Sequence, residues 1–352
     1  MTHQLLHPQP LGIFPLPAAY LVVPPVTGAE EVCAVLLDGY VPERVPIALR
    51  FYTLALANEK HAAWLALTED SSLEARYNRF VLQSKPAQYS CLRHELDGEL
   101  AALLDLVAYT AGIIDAPPAA DRLHGEVAGC VLPAHAAYAL AHHHPDRAIA
   151  ALCRAVEEVS PVSPLFAAQL LAHLAETYVQ YEQMPAALQA LRDALVFTSG
   201  RGLPDLRAYF ALRLGALCQD HANGQETLLH EASVWYEEAL RYYTRDQAPE
   251  PFAAAHHHLA LAYLAMASRE NSARLFVERA VWSLHQALTV YTAETHYEYW
   301  HNTQSSLTRA QQMLLALGNG HTSSLENGHG DLAPHGQPSH ASRIDTMAVP
   351  VL

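Results

Sequence analysis

The chain has 352 residues, of which 51% are hydrophobic and 16% charged, and a formal net charge of -15. That hydrophobic share is ample for a buried core, while the acidic balance excludes nucleic acid and anionic membranes as main ligands, because phosphate binding requires a basic stripe that releases counterions. The chain is rich in Ala and Leu and modest in Val, Ile and Thr, so the expected fold is all-α.

Residues 1–27 carry prolines at 8, 10, 15, 17, 24 and 25, with no Lys or Arg ahead of the apolar run. A secretory signal needs a positive start and a helical apolar core, and a spanning helix needs about 20 uninterrupted apolar residues. Neither pattern is present. An extended arm lying on a helical body is expected, with a Pro-rich docking peptide for another protein as the alternative. Residues 28–116 read as an N-terminal helical cap. Helices are predicted over Ala29 to Leu37, Glu43 to Ala57, His61 to Leu67, Ser72 to Val81 and, as one long element, Ala87 to Ile114. The turn Asn58-Glu59-Lys60, followed by Ala62, Ala63 and Trp64, looks like a diverged two-helix unit. A cap is expected because a stack of such units must cover its exposed apolar end.

Ala116-Pro117-Pro118 is the candidate domain boundary, since paired prolines stop a helix. Beyond it a helix is predicted over Pro133 to His143, and then one beginning at Pro145 whose inner face holds Ala148, Leu152 and Ala155. Ser163 is a candidate N-cap, with Pro164 as the first helical residue. From there, apolar residues at Leu171, Leu174, Ala175 and Tyr178, a polar turn around Glu182 and Gln183, and a second set at Ala187, Leu191 and Ala194 predict two amphipathic helices.

This pattern resembles the tetratricopeptide repeat family, in which a large residue, Leu, a small residue and an aromatic on the first helix meet Ala, a large apolar residue and Ala on the second. Those places are held here by Leu171, Leu174, Ala175, Tyr178, Ala187, Leu191 and Ala194, with Ser199-Gly200 where the family commonly has a closing proline. Self-similarity extends the match. Leu214, Gly215 and Cys218 with Ala232, Tyr236 and Ala239 form one further copy, and Leu259, Ala260 and Tyr263 with Ala280, Leu284 and Ala287 another. A shift of 48 aligns Ala239-Leu240 with Ala287-Leu288, Tyr243-Thr244 with Tyr291-Thr292, Phe252 with Trp300 and Leu259 with Leu307. These units exceed the family's typical length of about 34 residues, with the extra chain around Asn223-Gly224 and Arg269 to Ser272. The resemblance implies a right-handed α-solenoid of antiparallel helix hairpins over residues 124–317. After Leu317 periodicity ends, and 318–352 is expected to be a disordered tail.

No catalytic motif emerges. His142-His143-His144 and His256-His257-His258 invite a metal reading, but successive helical residues point about 100° apart and cannot converge on one ion, so solvated or core-edge imidazoles are expected. The tail histidines at 321, 329, 335 and 340 could hold metal adventitiously. Nucleophile elbows and phosphate loops are absent, and no cofactor is expected. Glu157-Glu158 and Glu237-Glu238 are assigned to solvated helix faces, and Trp64, Trp235, Trp282 and Trp300 to helix packing. Cys33, Cys91, Cys130, Cys153 and Cys218 are far apart with no Cys-x-x-Cys pair, which fits neither a disulfide framework nor a zinc site and indicates a reducing cytoplasm.

What remains is a surface. In the repeat family the first helices line a concave groove, and the resemblance implies groove residues Gln169, Glu176 and Gln180, then Tyr209, Arg213 and Gln219, then His257 and His258, then Asn302, Ser305 and Arg309. Such polar and aromatic side chains suit an extended peptide or helix held by side-chain hydrogen bonds to its backbone. They lack the Lys, Asn and Arg clamp for a C-terminal carboxylate. The expected function is a non-enzymatic scaffold binding a protein or peptide. A groove filled by the chain's own arm or tail, a sensor of small molecules or signalling peptides, and a histidine-built metalloenzyme are the competing readings.

Overall fold

A computed structural model describes residues 5–223, 225–268 and 273–320, which form fifteen α-helices and, among the described residues, no strand. The chain divides into two compact units at Leu203/Pro204. Unit 1 holds α1 (Ala29–Leu37), α2 (Arg50–Leu56), α3 (Lys60–Ala66), α4 (Leu73–Leu82), α5 (Pro86–Arg93), α6 (Gly98–Thr110), α7 (Gly125–Ala141), α8 (Pro145–Val159), α9 (Pro164–Gln180) and α10 (Met184–Phe197). Unit 2 holds α11 (Pro204–Asp220), α12 (Glu226–Leu240), α13 (Pro249–Ala267), α14 (Ala273–Leu288) and α15 (Tyr297–Gly320). From α2 to α10 and from α11 to α15 helices adjacent in sequence pack together, and α7 also touches α9, α11 touches α13 and α13 touches α15. Prolines open α5, α8, α9, α11 and α13, where the missing N–H costs nothing because no preceding turn would accept it.

One turn is built three times in unit 1. Asn58, His143 and Glu182 adopt left-handed backbone with φ of 60°, 60° and 58°. Each is followed by a residue whose N–H reaches back five positions, Glu59 to Leu54 O at 2.8 Å, His144 to Ala139 O at 2.9 Å and Gln183 to Tyr178 O at 2.8 Å. This is the Schellman closure of a helix. The residue after the left-handed one then accepts the first bond of the next helix, from Ala63, Ala148 and Ala187, all of which are fully buried. The segment at Asn58-Glu59-Lys60 is therefore the same two-helix turn as the two later ones.

Unit 2 repeats at 48 residues bond by bond. Tyr243 and Tyr291 N–H donate to Ala239 O and Ala287 O, both at 3.0 Å, and Ala248 and His296 N–H donate to Thr244 O and Thr292 O at 2.9 and 3.0 Å. The Thr244 and Thr292 hydroxyls accept from Gln247 and Thr295 N–H at 3.3 and 3.2 Å. The inner faces are the predicted ones. Leu214, Cys218, Ala232, Tyr236, Ala239, Leu259, Ala260, Tyr263, Ala280, Leu284, Ala287 and Leu307 are all buried.

Several elements differ from expectation. The long helix predicted over Ala87 to Ile114 is two helices, broken between Arg93 and Gly98, where Gly98 takes a left-handed φ of 58°. Glu43 to Ala57 is helical only from Ile47, because Pro46 holds an extended ψ of 148° just before it. The helix placed at Pro133 to His143 starts at Gly125 and carries Pro133 inside it, with that proline buried. Ser163 stands at the N-cap of α9 without a side-chain cap bond, its hydroxyl buried and unpartnered. The arm lies against the helices and also enters their core. Leu11, Ala19, Leu21, Val22 and Val23 are fully buried and belong to one core with residues of α1–α9. That core spans Pro117-Pro118, so the compact boundary falls instead at Leu203/Pro204. α15 runs to Gly320, three residues beyond the predicted end at Leu317. The rest of the tail, with His321, His329, His335 and His340, lies outside the described residues, as do Gly224 and 269–272.

The repeat pattern rests on small residues facing large ones. A Cβ built on Gly215 would lie 2.8 Å from Tyr236 Cε1 and 3.2 Å from Ala232 O. Ala normally outranks Gly inside a helix by about 1 kcal/mol, but Tyr236 is fully buried and its hydroxyl is tied to Gln219, so the ring has nowhere to go. Gly215→Ala is expected to destabilise unit 2 by about 1–3 kcal/mol, read as a lowered urea midpoint. An unchanged or raised midpoint would show that the helices do not pack this closely.

Candidate functional site

In unit 1 the predicted residue Gln169 is 7% exposed and donates through Nε2 to Ile13 O at 2.7 Å. Ile13 belongs to the N-terminal arm, so this side chain holds a backbone carbonyl of the protein's own Pro-rich segment. Other side chains grip the same arm. Asn78 on α4 accepts from Val22 N–H at 2.9 Å and donates to Val22 O at 2.8 Å, and Tyr77 OH donates to Tyr20 O at 2.8 Å. Within the arm, Gln9 pairs with Val23 in the same two-bond manner, Oε1 accepting at 2.7 Å and Nε2 donating at 3.0 Å. Gly12 allows the close approach of arm and helix, having a φ of 69° and a Cβ site only 2.2 Å from the Phe166 ring of α9. Glu126 on α7, 2% exposed, accepts from Gln9 N–H at 2.7 Å and from His7 Nδ1 at 2.7 Å, while His7 Nε2 reaches Glu99 at 2.9 Å. Glu176 and Gln180 are exposed.

Asn78, Tyr77, Glu126 and His7 were not singled out in the sequence. The available signal was an amide or carboxylate set among buried residues of α4 and α7, which must find partners when desolvated.

In unit 2 three predicted residues, Gln219, His258 and His257, are linked through Tyr236. Tyr236 OH donates to Gln219 Oε1 at 2.8 Å, and its ring stacks on His258 at 5.9 Å and 21°. His258 lies edge-on to His257 at 5.5 Å. His257 Nδ1 is 2.9 Å from Thr303 Oγ1, and the Thr303 hydroxyl donates to Tyr299 O at 2.7 Å. With that proton committed, Thr303 Oγ1 accepts from His257 Nδ1–H, which leaves Nε2 as the lone-pair nitrogen. The Thr–His distance is that of a nucleophile and base, but Thr303 is fully buried and its proton is committed to the backbone. His256, 4% exposed, turns instead toward Phe252 at 4.5 Å and Trp282 at 5.3 Å. The run of three histidines on α13 thus addresses α14, α15 and α12 in turn, as the 100° step requires. Among the described residues no group of three or more His, Cys, Asp or Glu could hold a metal ion. His142, His143 and His144 are exposed.

Tyr209 and Arg213 are half-buried, and Asn302, Ser305 and Arg309 are exposed on α15. Two assignments change. Glu158 and Glu238 are not simply solvated: Glu158 accepts from Gly125 N–H at 3.1 Å, and Glu238 pairs with Arg207 at 2.9 Å. Trp282 is 58% exposed, because its face of α14 lies beyond the packed stripe. No helix among the described residues is long and apolar enough to cross a membrane.

No protein-family model matches the chain, and no curated protein matches it. Among solved structures it is similar to BtubC (BKLC) from P. vanneervenii at 17% identity, over 77% of this chain and 100% of that one, with a TM-score of 0.35. A likeness that loose carries no argument about what either unit does.

Two expectations follow from these contacts. Asn78→Ala strands the buried Val22 N–H and C=O together, which is expected to cost unit 1 about 2–4 kcal/mol, measured by chemical denaturation, whereas Asn302→Ala on the exposed face is neutral. The second concerns pH. Burial lowers His256, His257 and His258 to about 4, about 4 and about 3. An unfolded histidine titrates near about 6.5, so the stability these residues support is complete above that pH and is lost as pH falls toward about 4. His7 has the opposite sign. Its bonds to Glu126 and then Glu99 raise it to about 10, so its contribution to unit 1 is complete below about 6.5 and lost as pH rises through 10. Thermal melts should show unit 2 weakening in acid, and His258→Phe, which keeps a ring against Tyr236, should flatten that limb. An acid limb unchanged in the variant would remove His258 from the account.

Proposed function

We propose that the chain is a non-enzymatic, tetratricopeptide-like scaffold that binds a protein or peptide partner in the cytoplasm. In this reading its two-helix units are antiparallel hairpins stacked into a right-handed solenoid, and the first helix of each hairpin lines a concave groove. The observation that carries the proposal is the way Asn78, Tyr77 and Gln169 hold a separate, Pro-rich segment by side-chain bonds to its backbone. That is the chemistry a peptide-binding groove uses, here satisfied in cis by the arm.

Support comes from the turn repeated at Asn58, His143 and Glu182, and from the contacts of α7 with α9, α11 with α13 and α13 with α15, which are those of first helices along a solenoid. Gln169 serves the arm, so a partner in trans would use the exposed Asn302, Ser305 and Arg309 together with Tyr209 and Arg213. A net charge of -15 favours protein over nucleic acid as that partner.

Quantitative affinity capture with the full chain tests this reading. A set of proteins retained by wild type and lost from an Asn302→Ala/Ser305→Ala/Arg309→Ala variant of unchanged melting temperature is expected. Identical retention by both would sink the groove assignment, and stoichiometric stabilisation by a metabolite with no protein retained would favour a sensor instead.

A further inference from the structure

The turns entering α13 and α15 share a backbone but not a surface. Their hydrogen bonds match at a shift of 48, and the helices begin at Pro249 and Tyr297, again 48 apart. On this common frame the first copy carries Arg241, Arg245, Pro249 and Pro251, and the second carries Thr289, Ala293, Tyr297 and Tyr299. The first copy forms the turn without exposed aromatics at the two proline positions, so the tyrosines are not required for the fold.

What they build is an open aromatic face. Tyr297 is 62% and Tyr299 42% exposed. The Tyr297 ring stacks on His301 at 6.1 Å and 16° and lies 6.0 Å from the Trp300 ring, while Tyr299 stacks on Tyr291 at 5.2 Å. Exposed apolar surface of this kind marks interaction sites. Within the turn and the first three turns of α15 the formal charge has one sign, and Arg241 and Arg245 of the preceding turn are paired with Glu238 and Asp246. Glu294 and Glu298 are exposed within the turn, and no Lys or Arg occurs from 280 to 308. Of the helices packed on α15, α13 carries neither residue type, and α14 has Arg274, paired with Glu278, and Arg279, over the Tyr263 ring, both in its first half. Arg309 lies twelve residues along α15 from Tyr297, which is about 18 Å of helix. The partial positive charge of the α15 N-terminus, about half a unit, is outweighed by the two carboxylates.

Aromatic faces are electron-rich and attract cations, and arginine in particular stacks flat on Tyr and Trp. We propose that the α14–α15 turn is a docking site for an arginine-bearing segment of a partner protein, with the guanidinium against Tyr297 and Trp300 and with Glu294 and Glu298 as counter-charges. None of these residues is assigned to the concave groove, so the two readings fail separately.

The test is fluorescence anisotropy of a labelled octapeptide of alternating Arg and Gly, titrated with the full chain. Wild type is expected to bind, and Tyr297→Pro/Tyr299→Pro, which installs the residues of the preceding copy, to weaken binding about tenfold or more. Tyr297→Ser/Tyr299→Ser carries the same expectation if the proline variant lowers the melting temperature. Glu294→Gln/Glu298→Gln should weaken binding similarly, and Glu157→Gln/Glu182→Gln, which removes the same charge from unit 1, should not. No binding by wild type, equal weakening by the unit 1 variant, or equal affinity for an octaproline peptide overturns the proposal. So does a concentration-dependent dimer that the tyrosine substitutions abolish, which would make a second copy the occupant.

Discussion

A fully buried alanine on the inner face of each of five second helices sets the spacing of this structure. Ala63, Ala148, Ala187, Ala232 and Ala280 are each 0% exposed, on α3, α8, α10, α12 and α14. Packed helices sit about 8–10 Å apart depending on the side chains between them, and a methyl group at this place keeps the pair at the near end. The large neighbours can then interdigitate, as Tyr236 does against Gly215. Close-packed interiors have no slack for a longer side chain here, which is why the same small residue recurs although the flanking sequence varies freely.

The arm changes what unit 1 is. A Pro-rich segment makes few backbone bonds of its own, here chiefly a 3-10 turn at Ala18–Tyr20 and the Gly12–Ala19 bond, so its remaining buried backbone groups must be met by side chains. Asn78, Gln9, Tyr77, Gln169 and Glu126 meet them. The buried carboxylate of Glu126 is tolerated because His7 supplies both a hydrogen bond and a positive charge. The side chains that hold the arm are thereby part of the core of unit 1.

α13 shows how one short motif can serve three interfaces. Three adjacent histidines point at three neighbours, and burial pushes each of them toward the neutral form. An imidazole can stack, donate and accept in one small ring, which suits a helix wedged between α12, α14 and α15 where faces of different chemistry converge.

Local pattern alone determined much of this protein: the helical class, α1 at Ala29–Leu37, the inner faces around Leu174, Leu214 and Leu259, and the 48-residue register. Those follow from periodicity and helix geometry, which act within a few residues. The fate of the arm, the partner of Gln169, the exposure of Trp282 and the compact division at Leu203 were decided only by tertiary structure. Each depends on which distant surface arrives to exclude water from an amphipathic or extended segment, and no spacing along the chain encodes that arrival.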